Sequence, residues 1–301
     1  MQELVAELLA HEVGEVLLNE PLAPYTTWKI GGPADVMVVP SSKEKLAQTV
    51  RLLNRSGTPW FLLGRGSNLL VADAGYRGAV IRLGTAFEQV VFDGEFVHAG
   101  AALSFIKLSV LAGKMGLTGL EFAGGIPGSV GGAVYMNAGA HGADVSRILI
   151  KAEVLLESGE WMTLEQSDLQ YAYRHSVLHE TRGIVTEALF RLDNGDRKEI
   201  AAAMAVNKDR RRRTQPLQQP CAGSTFRNPS GHYAAKLIED AGLKGYRTGG
   251  AEVSAVHANF IVNNGQAKAR DVLALIAHIQ ESVKERFGVE LVPEVMKVGE
   301  F

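Results

Sequence analysis

Between Gly113 and Gly142, ten of thirty positions are glycine, against a usual frequency of about 7%. Glycine costs backbone entropy in a helix or strand and supplies no packing there, so this stretch is expected to lie outside regular structure. Its densest part, Gly124-Gly125-Ile126-Pro127-Gly128-Ser129-Val130-Gly131-Gly132, offers amide N–H groups with no side chain over them, and Ser129 adds a hydroxyl. Such a run can cradle an anion. An isolated glycine pair is ordinarily just a turn. A second loop of the same character weakens that reading: Gly64-Arg65-Gly66-Ser67-Asn68, directly after strand-like Trp60 to Leu63.

Neither loop has a familiar mononucleotide signature. Five positions after Gly64 stands Leu69, where a dinucleotide fingerprint needs a third small residue. No Gly-Lys-Ser or Gly-Lys-Thr closes either segment. Two glycine-rich loops in two folding units suggest a long diphosphate-bearing ligand held between domains, and a flavin dinucleotide fits that description.

Around these loops the chain reads as mixed α and β. After an N-terminal helix, strand-like Val36 to Val39 leads into a helix capped at Ser41 or Ser42, with Leu46, Val50 and Leu53 on one face and Gly57 past its end. With Trp60 to Leu63 this makes a βαβ crossover. From about 70 to 192 short strands are expected at Ala79 to Leu83, Ile150 to Leu156 and Ile184 to Leu192, around a helix near Leu103 to Leu111, with a hairpin at Ser158-Gly159. Asp196 and Glu199 resemble a capping box for a helix ending in Arg210 to Arg213, where a basic run complements the helix dipole. Beyond it, helices Tyr233 to Ala241 and Asp271 to Phe287 and strands Asn259 to Val262 and Val289 to Val292 complete an α+β reading.

Composition narrows the partners. The 301 residues carry 31 basic and 33 acidic side chains, so no broad cationic face for nucleic acid is indicated. The single cysteine, Cys221, excludes an internal disulfide and any Cys-rich metal site, and suits a reducing compartment; the cytoplasm is expected. Met1 to Glu20 holds five acidic residues and no basic stretch before its apolar positions, the wrong order for a secretory signal. No apolar run approaches the roughly 20 residues needed to cross a bilayer.

The ordered set Tyr25-Thr26-Thr27-Trp28-Lys29-Ile30-Gly31-Gly32, Gly64 to Asn68, Gly124 to Gly132 with Asn137-Ala138-Gly139-Ala140, Tyr173-Arg174-His175-Ser176, Gly223-Ser224-Thr225-Phe226-Arg227-Asn228-Pro229 and Pro293-Glu294-Val295 resembles the UDP-N-acetylenolpyruvoylglucosamine reductases of peptidoglycan synthesis. The likeness runs from about residue 20 to the C-terminus. It implies a two-lobed FAD-binding domain of the vanillyl-alcohol-oxidase or p-cresol-methylhydroxylase type followed by a C-terminal α+β substrate domain. The chain then divides as 1–75 (first FAD subdomain), 76–194 (second FAD subdomain) and 195–301 (substrate domain, its tail returning to the active site). The resemblance further implies noncovalent FAD, NADPH as reductant and a UDP-linked enolpyruvyl amino sugar as substrate. The direct passage from Asn228-Pro229 into the next helix is similar to the type II branch, which lacks an inserted loop with a clamping tyrosine. Short connections point to a monomer.

Reducing an enol ether beside a carboxylate needs hydride at one alkene carbon, a proton at the other, and stabilisation of charge on the carboxylate. The resemblance gives the hydride to the reduced flavin, the proton to Ser224, and stabilisation of the carboxylate-linked intermediate to Arg174 and Glu294. A guanidinium can grip a carboxylate bidentately, and Ser224 is flanked by small residues that leave its hydroxyl approachable. By residue type alone, a surface arginine, a turn serine and a solvated glutamate are the commoner readings. For the flavin, the implied set is Gly64, Arg65, Gly66, Ser67, Asn68, Leu69, Gly124, Gly125, Ile126, Pro127, Gly128, Ser129, Gly131, Gly132, Asn137, Ala138, Gly139 and Ile184. For the nucleotide sugar it is Asn228, Lys236, Lys244 and His257, the last equally readable as a hydrogen-bonded structural histidine. An oxidase or dehydrogenase of the same fold acting on another sugar or alcohol is the rival; a noncatalytic nucleotide-binding module would not need Arg174, Ser224 and Glu294.

Overall fold

The computed structural model describes residues 1–301 and divides into two compact units. The first contains Met1–Leu18, Val36–Arg65 and Gly78–Arg210; the second contains Asn19–Asp35, Gly66–Arg77 and Arg211–Phe301.

The two largest sheets have four and five strands. One has the strand order Gly14–Pro21, Pro33–Pro40, Tyr76–Arg82, Trp60–Leu63. The last two strands pair in parallel, Trp60 opposite Ala79 and Leu63 opposite Arg82. The crossover into Trp60–Leu63 is the helix Lys43–Arg55, which starts where Ser42 Oγ accepts the Lys45 N–H at 3.2 Å. Its apolar stripe of Leu46, Val50 and Leu53 packs with Val36, Val38, Ala79 and Ile81, and with Leu4 and Leu8 of the N-terminal helix Gln2–Ala10. The helix thus joins two strands of one sheet, Pro33–Pro40 and Trp60–Leu63, with Tyr76–Arg82 between them.

The second sheet is antiparallel throughout, in the order Trp161–Glu165, Leu149–Leu155, Ile184–Arg191, Phe96–Gly100, Val90–Asp93. Leu149–Leu155 and Trp161–Glu165 form the hairpin signalled by Ser158-Gly159, with Gly159 at φ +86°. The helix Phe105–Met115 begins at Ser104 and ends on left-handed Gly116, and it contributes Phe105, Leu108 and Ala112 to a core shared with Val97, Val154, Ala188 and Phe190. Ile184, Val185 and Thr186 are all buried, and burial alternates only from there on, with Ala188 and Phe190 facing the core.

The expectation that the glycine-rich stretch avoids regular structure fails at several places: Gly113 lies in the helix Phe105–Met115, Gly124 and Gly125 end the short 3-10 helix Glu121–Gly125, and Gly139 pairs in a two-residue strand. Val130–Tyr135 also forms a six-residue helix containing Gly131 and Gly132. Packing explains this: a Cβ on Gly131 would lie 2.9 Å from Ala101 Cβ, so the helix sits closer to its neighbours than any side chain there allows. Its first turn is closed by Ser129 Oγ, which accepts the Gly132 N–H at 3.3 Å.

The second unit places the three-stranded antiparallel sheet Arg247–Thr248, Ala251–Val253, Ile261–Asn263 with the helices Ala234–Asp240 and Ala269–Phe287. Trp28, Ile30 and Leu70 enter the same core, beside Ile238, Ile261, Leu275, Ile276 and Ile279. The indole of Trp28 donates to the Ile261 carbonyl at 2.7 Å, and Asn263 Nδ2 donates to the Trp28 carbonyl at 2.9 Å. The strand expected at Val289 to Val292 does not form. The Leu291 carbonyl accepts Gln280 Nε2 and the Val292 carbonyl accepts the Arg227 N–H, so neither joins a ladder. The terminal strand is instead Met296–Val298, parallel to Leu69–Val71.

Candidate active site

In the first unit the two glycine-rich loops meet. A Cβ built on Gly64 would come 3.2 Å from Ser129 Oγ, tighter than most real contacts, so only glycine leaves that corner open. The Val130 and Gly131 amides are taken by the carbonyls of Leu103 and Ala101, and the Ile126 amide by that of Ala123. The amides of Gly128 and Ser129 carry no hydrogen bond to protein. Bare amides beside a corner that a methyl group would fill suit an anionic oxygen, which is the chemistry a dinucleotide pyrophosphate presents. Ile184 opens the central strand of the antiparallel sheet and is buried; Gly124 and Gly125 end the 3-10 helix Glu121–Gly125, and Pro127, Ala138 and Arg65 lie on the same unit's loops.

Gly131, Gly139 and Asn137 have other local reasons to be what they are. Gly131 is demanded by packing, as above. A Cβ on Gly139 would strike Ala143 O and Asp144 Cβ at 2.6 Å, in the small hairpin Gly139–Ala140 with Ala143–Asp144. The Asn137 side chain is used at both ends: Nδ2 donates to the Ala172 carbonyl at 3.1 Å and Oδ1 accepts the Ser146 N–H at 3.0 Å. Its amide is therefore a protein strut, and only its backbone is left to a ligand.

Arg174, also in the first unit, sits at φ +57° in a tight turn closed by reciprocal bonds between Ala172 and His175, each 3.2 Å. Its Nη2 donates to the Gly139 carbonyl at 2.9 Å, and its guanidinium lies 5.0 Å from the centre of the Tyr173 ring. Behind it the rings of His175 and His179 stack at 4.9 Å, with Tyr135 against His179 at 4.2 Å.

In the second unit, Gly66 stands at φ +60°, where a Cβ would strike the Tyr25 carbonyl, and its own carbonyl accepts the Thr27 N–H at 3.1 Å. The Tyr25-Thr26-Thr27-Trp28 motif is thus the seat of the Gly66-Ser67-Asn68-Leu69 loop. Asn68 reaches onward: its Nδ2 donates to the Glu294 carbonyl at 3.2 Å, and its carbonyl accepts the Met296 N–H at 2.9 Å. Glu294 in turn lies beside the Ser224 segment. The Glu294 N–H donates to the Thr225 carbonyl at 2.8 Å, and Phe226 and Pro293 form an antiparallel bridge. Asn259 clamps that segment from the other side, donating to Phe226 O at 2.8 Å and accepting its N–H at 2.9 Å. Ser224, Glu294 and Asn68, from three distant stretches of sequence, are neighbours along the backbone.

The nucleotide-sugar candidates fall in the same unit, with their side chains partly engaged. Asn228 Oδ1 accepts the Ala234 N–H at 3.0 Å and so closes the start of the helix Ala234–Asp240. Lys236, exposed on that helix, pairs with Asp240 at 2.6 Å, and Lys244 pairs with Glu239 at 2.9 Å. Burial, and secondly the Lys244 charge, hold the His257 pKa below its ordinary value; its Nδ1 accepts the Asn259 N–H at 3.3 Å.

Two polar atoms escaped the sequence reading. Thr225 Oγ1 and Arg227 Nε are buried without a protein partner. Buried donors are nearly always paired, so these mark where a ligand or water completes the structure. The signal was present, since both residues follow Ser224 at alternate positions of an extended segment, but their burial could not be read from sequence.

Comparison with known proteins agrees with this geometry. The FAD binding domain family matches residues 34–165, and the family described as UDP-N-acetylenolpyruvoylglucosamine reductase, C-terminal domain, matches residues 215–298. UDP-N-acetylenolpyruvoylglucosamine reductase 1 of Bacillus cereus is 52% identical, covering 99% of this chain and 100% of its own. The UDP-N-acetylenolpyruvoylglucosamine reductase of Bacillus subtilis is 50% identical, with 99% of each chain covered. The crystal structure of the Thermus caldophilus UDP-N-acetylenolpyruvylglucosamine reductase superposes with a TM-score of 0.80 at 38% identity, over 94% of this chain and 98% of that one. Berberine bridge enzyme from Eschscholzia californica, 14% identical with a TM-score of 0.50 over 64% of this chain and 44% of its own, shares the fold alone. The expected flavoprotein fold with a C-terminal α+β domain is borne out.

Proposed function

The chain belongs to the UDP-N-acetylenolpyruvoylglucosamine reductase family, and from that premise we propose how its own residues divide the reaction. It is an FAD-dependent enzyme that uses NADPH to reduce UDP-N-acetylglucosamine enolpyruvate to UDP-N-acetylmuramate in peptidoglycan precursor synthesis. When bound, the flavin accepts hydride from NADPH and supplies it to the terminal alkene carbon.

Gly64, Arg65, Gly66, Ser67, Asn68 and Leu69, with Gly124 to Ser129, Gly132, Ala138, Gly139 and Ile184, hold the flavin; the open corner between Gly64 and Ser129 supports this assignment. Arg174 grips the substrate carboxylate as negative charge builds on it. Ser224 donates the proton to the second alkene carbon, and Glu294 orients the substrate beside it. The observation that carries the assignment is the 2.8 Å bond from Glu294 N–H to the Thr225 carbonyl, which sets the serine and glutamate segments side by side. Arg227 joins Asn228, Lys236, Lys244 and His257 in the nucleotide-sugar set, because its buried Nε lacks a protein acceptor. Residues 1–75 and 76–194 act as the flavin lobes and 195–301 as the substrate domain, although residues 19–35 and 66–77 are built into the compact unit of the last of these. The short passage from Asn228 to the helix at Ala234 supports the type II branch. We place the enzyme in the cytoplasm as a monomer; no helix is long and apolar enough to cross a membrane.

Stopped-flow absorbance separates the half-reactions. Ser224→Ala is expected to slow flavin reoxidation by the enolpyruvyl nucleotide while sparing reduction by NADPH. Two unchanged half-reactions would remove Ser224 from the proton-donor role.

A further inference from the structure

We propose that Asn137 is a positioning residue for Arg174, and that its side chain serves the substrate half-reaction. The proposal rests on the reading of Arg174 as the carboxylate grip. The turn that presents Arg174 is an unfavourable one for an arginine: position i+2 of a four-residue turn at φ +57°, where glycine or asparagine is the usual occupant. A residue held in that region persists only when its surroundings over-determine it.

One short segment, Tyr135 to Gly139, meets the turn and the residue after it at three points. Ser176 Oγ donates to the Tyr135 carbonyl at 2.6 Å, Asn137 Nδ2 to the Ala172 carbonyl at 3.1 Å, and Arg174 Nη2 to the Gly139 carbonyl at 2.9 Å. Ser176 is fully buried and Asn137 nearly so. The Asn137 bond is the central one. The Ala172 carbonyl already accepts the His175 N–H that closes the turn, so Asn137 fills its second lone pair. The other end of the same amide accepts the Ser146 N–H, which fixes the amide plane against a third segment. Removing the Nδ2 donor takes one of its two hydrogen bonds from the Ala172 carbonyl and frees the turn to relax from its left-handed conformation. The guanidinium then loses its aim at the carboxylate, and a displacement of about 1 Å at a reacting group can cost about 100-fold in rate.

The test uses the FAD-loaded enzyme and a small set of variants. Asn137→Asp keeps the acceptor for the Ser146 N–H, loses the donor to Ala172, and tolerates the same left-handed backbone. Asn137→Ser is made alongside, should a buried carboxylate prevent folding. Arg174→Lys reports on the grip itself, and Asn137→Asp/Arg174→Lys closes the cycle. Bound flavin is measured first, then the two half-reactions by stopped flow.

The expected result is an Asn137 variant that retains FAD, is reduced by NADPH within about twofold of the parent rate, and is reoxidised by the enolpyruvyl nucleotide about 10- to 100-fold more slowly. The double variant should be about as slow as Arg174→Lys alone, because both changes disable one device. If Arg174→Lys reoxidises at the parent rate, the reading of Arg174 itself fails. If Arg174→Lys is slow and the Asn137 variants are not, the positioning role is wrong. Loss of FAD, equal slowing of both half-reactions, or multiplicative effects in the double variant would also overturn it.

Discussion

Replacing Gly64 by Ala puts a methyl carbon 3.2 Å from Ser129 Oγ, where the two glycine-rich loops meet. Backbone strain is not at issue, since Gly64 is not among the residues of positive φ. The neighbour is one side-chain oxygen, which can swing away at the expense of its bond to the Gly132 N–H. Loss of that helix cap bounds the cost to folding at about 1 kcal/mol. The effect on FAD is larger. The methyl occupies the space proposed for a phosphate oxygen, and displacing that oxygen from even one charge-assisted bond forfeits about 1.5–3 kcal/mol. That corresponds to roughly 10- to 150-fold weaker flavin binding. Titrating apoenzyme with FAD by flavin fluorescence, beside urea denaturation without flavin, separates the two numbers. Ser129→Ala serves as reference, since it removes the cap and leaves the corner open. A Gly64→Ala variant that binds FAD as tightly as the parent while losing about 1 kcal/mol of stability would refute the cradle.

Arg227→Met removes a buried donor without a protein partner; the apoenzyme should be no less stable in urea, while the Kd for the enolpyruvyl nucleotide rises about tenfold or more by calorimetry. His257 titrates below its ordinary value of 6.5, chiefly through burial. The unfolded chain therefore binds the proton more readily, so stability is full above pH about 6.5 and falls as pH drops below it. His257→Gln should flatten that part of the stability–pH curve, and an unchanged curve would show that the ring does not contribute. Asp73→Ala removes the carboxylate that accepts the Ala269 N–H at 2.8 Å and the Arg270 N–H at 3.2 Å. It should lower the denaturation midpoint by an amount equivalent to about 0.5–2 kcal/mol, with unaltered FAD affinity.

What the sequence determined by itself was whatever neighbouring residues settle among themselves. Ser42, Leu46, Val50 and Leu53 specify a capped amphipathic helix, and the helix is Lys43–Arg55. Ser158-Gly159 specifies a hairpin, and Asp196 caps the helix Arg197–Thr214 by accepting the Lys198 and Glu199 N–H groups. The ordered motifs were also legible, because a glycine forced by close contact, such as Gly66 under Tyr25, leaves its mark in the letters. Only the tertiary structure decided where partners come from far along the chain. Apolar Val289 to Val292 looked as strand-like as Met296–Val298, but a strand exists only with a neighbour, and Leu69–Val71 pairs with the latter. Residues 19–35 and 66–77 build the unit of the C-terminal third, because the Trp28 indole and the Asp73 carboxylate find acceptor and donors there. The uses of Asn137, Asn228 and Asn68 were likewise hidden. An amide offers the same donor and acceptor to a ligand, a helix end or a strained turn, and which of them takes it is fixed by distance alone.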